Sequence, residues 1–255
     1  MKTENRLEQI ADLLLEIASI LMVSGANTNR VDVNIDRFAS VLHCESYSLI
    51  SQKTMILTVI DTETKENYTK VKNLPSHKIN FTIISAISKA SWNALDEDWS
   101  LSKISQEIET IKAQKRYSRL VVLLAVSFSG AGFCKIFGGD YYNLALAFVS
   151  TFFGLLMLQT AHKREFNTYI SVFLASLTAS LLASLGVYFN LGTQPEATLA
   201  TSILFLVPGV ALINSFTDLL DKNVLNGMVR FSNGIMTVLA IALGLFVAML
   251  IFQLK

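Results

Sequence analysis

Charge all but vanishes from this chain after Arg119. The last 136 positions hold six Lys or Arg and five Asp or Glu, against 15 of each sign in the first 119. Glycine runs the other way, with one of its 12 residues before that point and 11 after it. A boundary between two solvents accounts for both trends: a water-soluble domain, then a helical membrane domain. Cysteine is scarce, and Cys44 and Cys134 fall on opposite sides of the boundary, which argues against a disulfide between them. Neither stands at metal-ligand spacing from a histidine or another cysteine. His43 adjoins Cys44, but neighbours on a helix diverge by about 100°, which argues against a catalytic dyad. A formal net charge of +1 gives no reason to expect nucleic acid as a partner. The opening Met1-Lys2-Thr3-Glu4-Asn5-Arg6 leads into an amphipathic segment, so no cleavable signal peptide is expected.

Residues 1–115 read as a small α+β domain. Leu7, Ile10, Ala11, Leu14, Ile17, Ala18 and Leu21 recur at helical spacing over about residues 4–23. Gly25 suits the C-terminal cap of that helix, and Asn27 or Thr28 can open the next. The second helix buries Val31, Ile35, Phe38, Ala39 and Leu42. Strands are expected over Glu45–Ser51, Thr54–Ile60 and Tyr68–Lys72, with Gln52-Lys53 as a tight turn. Ile79–Leu95 and a segment from Ser100 through Leu101, Ile104, Ile108 and Ile111 complete the domain as helices. It carries no Gly-rich phosphate loop, nucleophile elbow or clustered His/Cys set, so neither catalytic residues nor a metal site are expected. Asp96-Glu97-Asp98 reads either as a metal-attracting run or, more simply, as a solvated turn before a Ser100 cap. Trp92 and Trp99 read either as membrane-surface anchors or as packing within the domain.

Residues 116–255 accommodate five spans, at about 120–137, 141–160, 168–189, 197–219 and 231–252, each close to the ~20 residues that cross a ~30 Å core. Lys112, Lys115, Arg116, Arg119, Lys163, Arg164, Lys222 and Arg230 fall on one side, and only Lys135 and Lys255 on the other. Basic residues stay in the cytoplasm, which puts the N-terminal domain inside and the C-terminus outside. Ala175, Ala179, Ala183 and Ser176, Ser180, Ser184 form two small-residue stripes in the third span; Ala240, Gly244 and Ala248 repeat the device in the fifth. Such stripes let helices approach closely, although serine hydroxyls can also line a polar path. Leu101–Ile111 followed by Arg116–Leu120 suggests one helix continuing from the soluble domain into the first span.

The fourth span reads LVPGVALINSFTDLL. Pro208 removes a backbone donor and Gly209 loosens the helix. Asn214 and Asp218 then share a face at i, i+4. A carboxylate near hydrocarbon is costly and usually functional, and a broken polar helix is the device found at transporter binding sites. The simpler alternative places Asp218 at the cytoplasmic interface, solvated or paired with Lys222 or Arg230.

Three ordered motifs carry a resemblance. They are Ser24-Gly25-Ala26 followed by Thr28, Arg30-Val31 and Asp32; Phe137-Gly138-Gly139-Asp140; and Pro208-Gly209, Asn214, Asp218-Leu219-Leu220, Gly227 and Arg230. With the order of domains and spans, the chain resembles the threonine/serine exporter family over nearly its entire length. It is most similar to the large subunit of the split, two-component form that exports succinate. Asn27 stands where members often carry an acid, and Ala211 where a second proline often follows. The resemblance implies a multi-pass protein of the bacterial inner membrane that exports a small carboxylate-bearing metabolite: threonine, serine or a succinate-type dicarboxylate. Pro208, Gly209, Asn214, Asp218 and Arg230 are then the substrate or coupling residues. Ser24, Gly25, Ala26, Arg30, Gly138, Gly139, Asp140 and Gly227 are motif residues of unassigned role. Because the chain ends after five spans, a separate small integral-membrane subunit of the same family is expected as partner. A homo-oligomer is compatible with this reading. No cofactor is expected, and proton coupling through Asp218 is left open. The alternative is a membrane-anchored enzyme or ligand-sensing scaffold acting through residues 1–115.

Overall fold

A computed structural model describes residues 2–75, 79–114 and 117–253. Lys115, Arg116 and Lys255, used above for topology, lie outside the described residues. The chain divides into two compact units, Met1–Lys115 with Val210–Ser232, and Arg116–Gly209 with Asn233–Lys255.

In the first unit, α1 (Lys2–Val23) buries Leu7, Ile10, Leu14, Ile17 and Leu21 along one stripe. Gly25, at φ 93°, turns the chain after it, a left-handed conformation that glycine adopts without steric cost. Asn27 caps α2 (Thr28–Val41), its side chain accepting the Arg30 amide. Val31, Ile35 and Phe38 of α2 join the same core. Strands β1 (Cys44–Ile50), β2 (Thr54–Asp61) and β3 (Asn67–Asn73) form an antiparallel meander in the order β1-β2-β3. Its central register sets Tyr47 opposite Thr58 and Thr58 opposite Thr69. Strand β2 alternates, burying Met55, Leu57 and Val59 on the side of the core. Helices α3 (Phe81–Glu97) and α4 (Leu101–Lys112) close the domain, capped by Asn80 and Ser100.

The acidic run Asp96-Glu97-Asp98 ends α3, with Asp96 and Glu97 in its last turn and Asp98 as its cap. Asp98 is left-handed there, and Glu97 engages Lys103 and the Trp99 indole, each at 2.8 Å. Trp99 is buried, whereas Trp92 is half exposed beneath the Arg37 guanidinium. His43 is exposed at φ 56° while Cys44 is buried, so the two side chains part.

The first unit also holds α9 (Gly209–Leu220) and the opening of α10 (Val224–Phe252). Here the break expected at Pro208-Gly209 of the fourth span is found. Residues 197–219 are not one helix but α8 (Pro195–Ser202), a 3-10 turn at Leu204–Leu206, and α9. The break falls at Val207, which takes ψ 123° as a residue before proline must, and at Pro208, which has no amide to continue the ladder. The last helix begins at Val224 rather than Phe231. The expected continuous helix from Leu101 toward Leu120 is interrupted: α4 ends at an Ala113 cap and α5 (Arg119–Ile136) starts at a Ser118 cap.

In the second unit, α5, α6 (Tyr141–Lys163), α7 (Thr168–Tyr188), α8 and most of α10 pack through small residues. Ala175, Ala179, Ala183, Ser176, Ser180 and Ser184 are all fully buried. A Cβ on Gly154 would lie 2.8 Å from the Ala179 Cβ, and one on Gly244 would lie 2.8 Å from the Leu177 amide. That separation admits only glycine, so the backbones approach closely. Four described helices (α5, α6, α7 and α10) are long and apolar enough to cross a membrane, or up to five if the bent pair Pro195–Leu206 with Gly209–Leu220 is one span.

Candidate functional site

The polar residues of α9 and early α10 converge on one loop of the first unit, Ser24–Asn27 between α1 and α2. Asp218 and Asn214 share a face of α9, and Asn226 and Arg230 share a face of α10 at the same i, i+4 spacing. Asn214 Nδ2 donates to the Gly25 carbonyl at 2.8 Å. Asp218 Oδ1 accepts the Thr28 amide at 2.8 Å, satisfying an amide of the first turn of α2 that no helical carbonyl reaches. Arg230 Nη2 donates to the Ala26 carbonyl at 2.9 Å and lies 3.5 Å from the Met22 sulfur. Asn226 Nδ2 bridges the Thr28 hydroxyl at 3.0 Å and the Ile50 carbonyl at 2.9 Å.

At the centre lies an ion pair, Arg230 Nε to Asp218 Oδ2 at 3.2 Å. Asp218 has 0% of its surface exposed and Arg230 only 7%. Oδ2 makes no hydrogen bond of good angle, so charge rather than directed bonding joins these two atoms. A buried pair of this kind costs desolvation on both sides; what it secures is a defined arrangement of the groups around it. The carboxylate sits where the positive end of α2 begins, which favours negative charge. Gly227 lets the hairpin close: a Cβ there would meet the Leu219 side chain at 2.7 Å and the Ser215 carbonyl at 2.9 Å.

Asp32, one turn into α2, accepts a hydrogen bond from the Ser48 hydroxyl of β1. Burial pushes its carboxyl above the usual range; the Ser48 bond opposes this, and the negative charges of Asp36 and Asp218 add to it. Two acids, Asp32 and Asp218, therefore flank the start of α2.

The residues named from sequence do not all meet. Asn214, Asp218, Arg230, Gly25, Ala26 and Gly227 belong to this cluster. Ser24 is buried beside it, its carbonyl accepting the Asn80 amide at 2.9 Å. Arg30 is exposed on α2. Pro208 and Gly209 mark the helix break. Gly138, Gly139 and Asp140 form a separate device in the second unit. Asp140 caps α6 by accepting the Tyr142 and Asn143 amides, and its other oxygen accepts the Thr193 amide at 3.0 Å. The fully buried Asn143 completes that turn, accepting the Gln194 amide at 3.0 Å and donating to the Leu191 carbonyl at 3.1 Å. A Cβ on Gly139 would lie 2.7 Å from the Cys134 sulfur. Thus the Gly-Gly-Asp motif ties the α5–α6 turn to the α7–α8 loop.

Two participants escaped the sequence reading of the site. Asn226 had a signal, since it stands four residues before Arg230 and shares its helix face. Asn143 stands three after the Asp140 cap, the position of a reciprocal capping box.

The family model described as "Putative threonine/serine exporter" matches residues 12–252. The chain is 27% identical over 265 residues to the probable succinate transporter subunit YjjP of Escherichia coli (strain K12), covering 100% of this chain and 99% of that protein. The protein of the same name from Klebsiella aerogenes is 25% identical over 259 residues, covering 100% of this chain and 97% of its own. The threonine/serine exporter of Corynebacterium glutamicum is 22% identical over 217 residues, 82% of this chain but 44% of that protein. No solved structure matches. With a family match from residue 12 to residue 252 and helices fit to cross a bilayer, the chain belongs to the threonine/serine exporter family of membrane exporters.

Proposed function

We propose that this chain is the large subunit of a two-component secondary exporter that moves a small carboxylate-bearing metabolite out of the cytoplasm. The substrate class is threonine or serine, or a succinate-type dicarboxylate. One observation carries the reading. The chain aligns end to end with proteins named as succinate transporter subunits, yet spans under half of the Corynebacterium threonine/serine exporter. The word subunit in the names of those relatives supports a second component, here a small integral-membrane subunit of the same family. The excess of basic residues before the first expected span and in the breaks after the second and fourth supports a cytoplasmic N-terminal domain, with the C-terminus outside the inner membrane.

Asp218 and Arg230 are the coupling pair in this reading. Protonation of Asp218 removes the charge that holds Arg230, and the guanidinium is then free to take a substrate carboxylate in exchange. The same exchange loosens the hold of Asp218 on the Thr28 amide and of Arg230 on the Ala26 carbonyl. Proton uptake, substrate capture and movement of the α1–α2 loop thereby become one event with two discrete arrangements. At the Pro208-Gly209 break the Gly209 amide is taken by the Val207 carbonyl at 2.9 Å, and the amides that follow it in the first turn of α9 offer a second place for a carboxylate.

The test is efflux from cells deleted for their own exporters and preloaded with threonine, serine and succinate, carrying the chain with or without the small subunit. Selective efflux that needs both chains is expected. No efflux of any of the three, with both proteins present in the membrane, rules the reading out.

A further inference from the structure

The α+β domain holds a cavity that the Asp218–Arg230 cluster does not use. About 330 Å³ in volume, it lies between α2 and α3 and is lined by Asn27, Arg30, Asn34, Arg37, Ser88 and Trp92, with Asn29 and Val33 at its edge. That volume suits a small metabolite. Its lining carries two guanidinium groups and no acid. Arg30 and Arg37 are seven residues apart on one face of α2, and Asn27 and Asn34 repeat the interval beside them.

Two polar atoms in this lining have no partner. Asn34 is only 2% exposed; its Nδ2 donates to the Arg30 carbonyl at 2.7 Å, which fixes the amide orientation and leaves a buried Oδ1 unbonded. The Ser88 hydroxyl is likewise buried and unbonded. Buried polar atoms are rarely left so, because each forfeits its hydration without recompense. Arg37 is already ordered, its guanidinium 3.8 Å from the centre of the Trp92 ring and its Nη1 donating to the Ser91 hydroxyl at 3.3 Å. A guanidinium held flat on an aromatic ring keeps its remaining N–H fork for a planar carboxylate.

We infer that this cavity is a binding site for a small carboxylate bearing an adjacent hydrogen-bond donor, that is, an α-amino or α-hydroxy acid. Arg37 and Arg30 take the carboxylate. The Asn34 carbonyl oxygen, which can only accept, takes the ammonium or hydroxyl, and Ser88 supplies a further bond. A plain dicarboxylate satisfies the arginines but leaves Asn34 Oδ1 unbonded. Discrimination therefore comes from the acceptor rather than from the charge. The site lies wholly within the α+β unit and stands apart from the export reading, which concerns Asp218 and Arg230.

The experiment is calorimetric titration of the detergent-solubilised full chain with L-serine, L-threonine, L-lactate and succinate. The same titrations are run on Arg37→Gln, Arg30→Gln and Ser88→Ala. Saturable binding of serine, threonine or lactate at one site per chain is expected, at least tenfold tighter than succinate. Arg37→Gln weakens that binding tenfold or more, and Arg30→Gln weakens it less. Ser88→Ala narrows the preference over succinate. The inference is overturned if none of the acids binds, if succinate binds as tightly, or if Arg37→Gln binds as tightly as the parent. Efflux fails or persists independently of these titrations, so the two readings fall separately.

Discussion

Arg230 reaches Asp218 with Nε at 3.2 Å while its Nη2 holds the Ala26 carbonyl at 2.9 Å. One guanidinium thus joins the acid of α9 to the turn between α1 and α2. Asp218 closes the circuit through the Thr28 amide. Each partner keeps the other from being a lone buried charge, and together they determine where the amino-terminal loop sits.

Removing one member of this pair is costlier than removing both. Arg230→Gln leaves a buried carboxylate uncompensated and is expected to destabilise the first unit by about 3–5 kcal/mol. The double variant Arg230→Gln with Asp218→Asn is expected to recover part of that loss. Thermal unfolding in detergent of both singles and the double gives the coupling; additive losses would show that the two groups act independently.

Asn226 offers a cleaner test of the loop anchor, because it is uncharged. Asn226→Ala leaves the Ile50 carbonyl and the Thr28 hydroxyl without their donor and is expected to cost about 1–3 kcal/mol. A melting temperature equal to that of the parent would show that water substitutes for the amide.

Asp32 gives the pH dependence. Its carboxyl is raised in the folded chain, above all by burial, so the folded state holds this proton more tightly than the unfolded state does. The associated stability is complete below the unfolded value of about 4 and is lost as pH rises through the raised folded value. Asp32→Asn keeps an acceptor for Ser48 and removes that loss. Its melting temperature relative to the parent is therefore expected to rise between pH 4 and pH 7. A difference that is flat, or that falls, contradicts the assignment.

Glycine at position 139 is required by contact. Gly139→Ala sets a methyl 2.7 Å from the Cys134 sulfur and 2.9 Å from the Cys134 carbonyl, and is expected to cost about 1–3 kcal/mol. Gly132→Ala, with nothing within 4 Å of the new Cβ, serves as the control. In a helix interior that change is neutral or mildly stabilising. Equal behaviour of the two variants in thermal unfolding would refute the close-contact explanation.

The α+β domain was legible because its elements obey simple periods. The stripes of α1 and α2, the alternation of β2 and the caps Asn27 and Ser100 each follow from local chemistry alone. The membrane half was legible where apolar runs are unbroken and where Pro208-Gly209 interrupts one. Residues 197–219 showed their break by residue type, whereas the 3-10 turn at Leu204–Leu206 that precedes it left no local signal. The early start of α10 was hidden too. Asn226, Gly227 and Arg230 interrupt the apolar run, yet they stay helical because their polar groups find partners in the α1–α2 loop and β1. Those partners lie about 200 residues away in sequence, beyond the reach of any local pattern. The same distance explains the site. Asn214, Asp218 and Arg230 stand out by residue type, but nothing along the chain says that they turn toward Gly25, Ala26 and Thr28.

The most direct test of the coupling pair is efflux of the three preloaded substrates, at external pH 6 and pH 8, by cells expressing Asp218→Asn together with the small subunit. The account predicts that this variant reaches the membrane in parental amount, exports at least tenfold more slowly, and loses its response to pH. Export at the parental rate, with the parental response to pH, would contradict it.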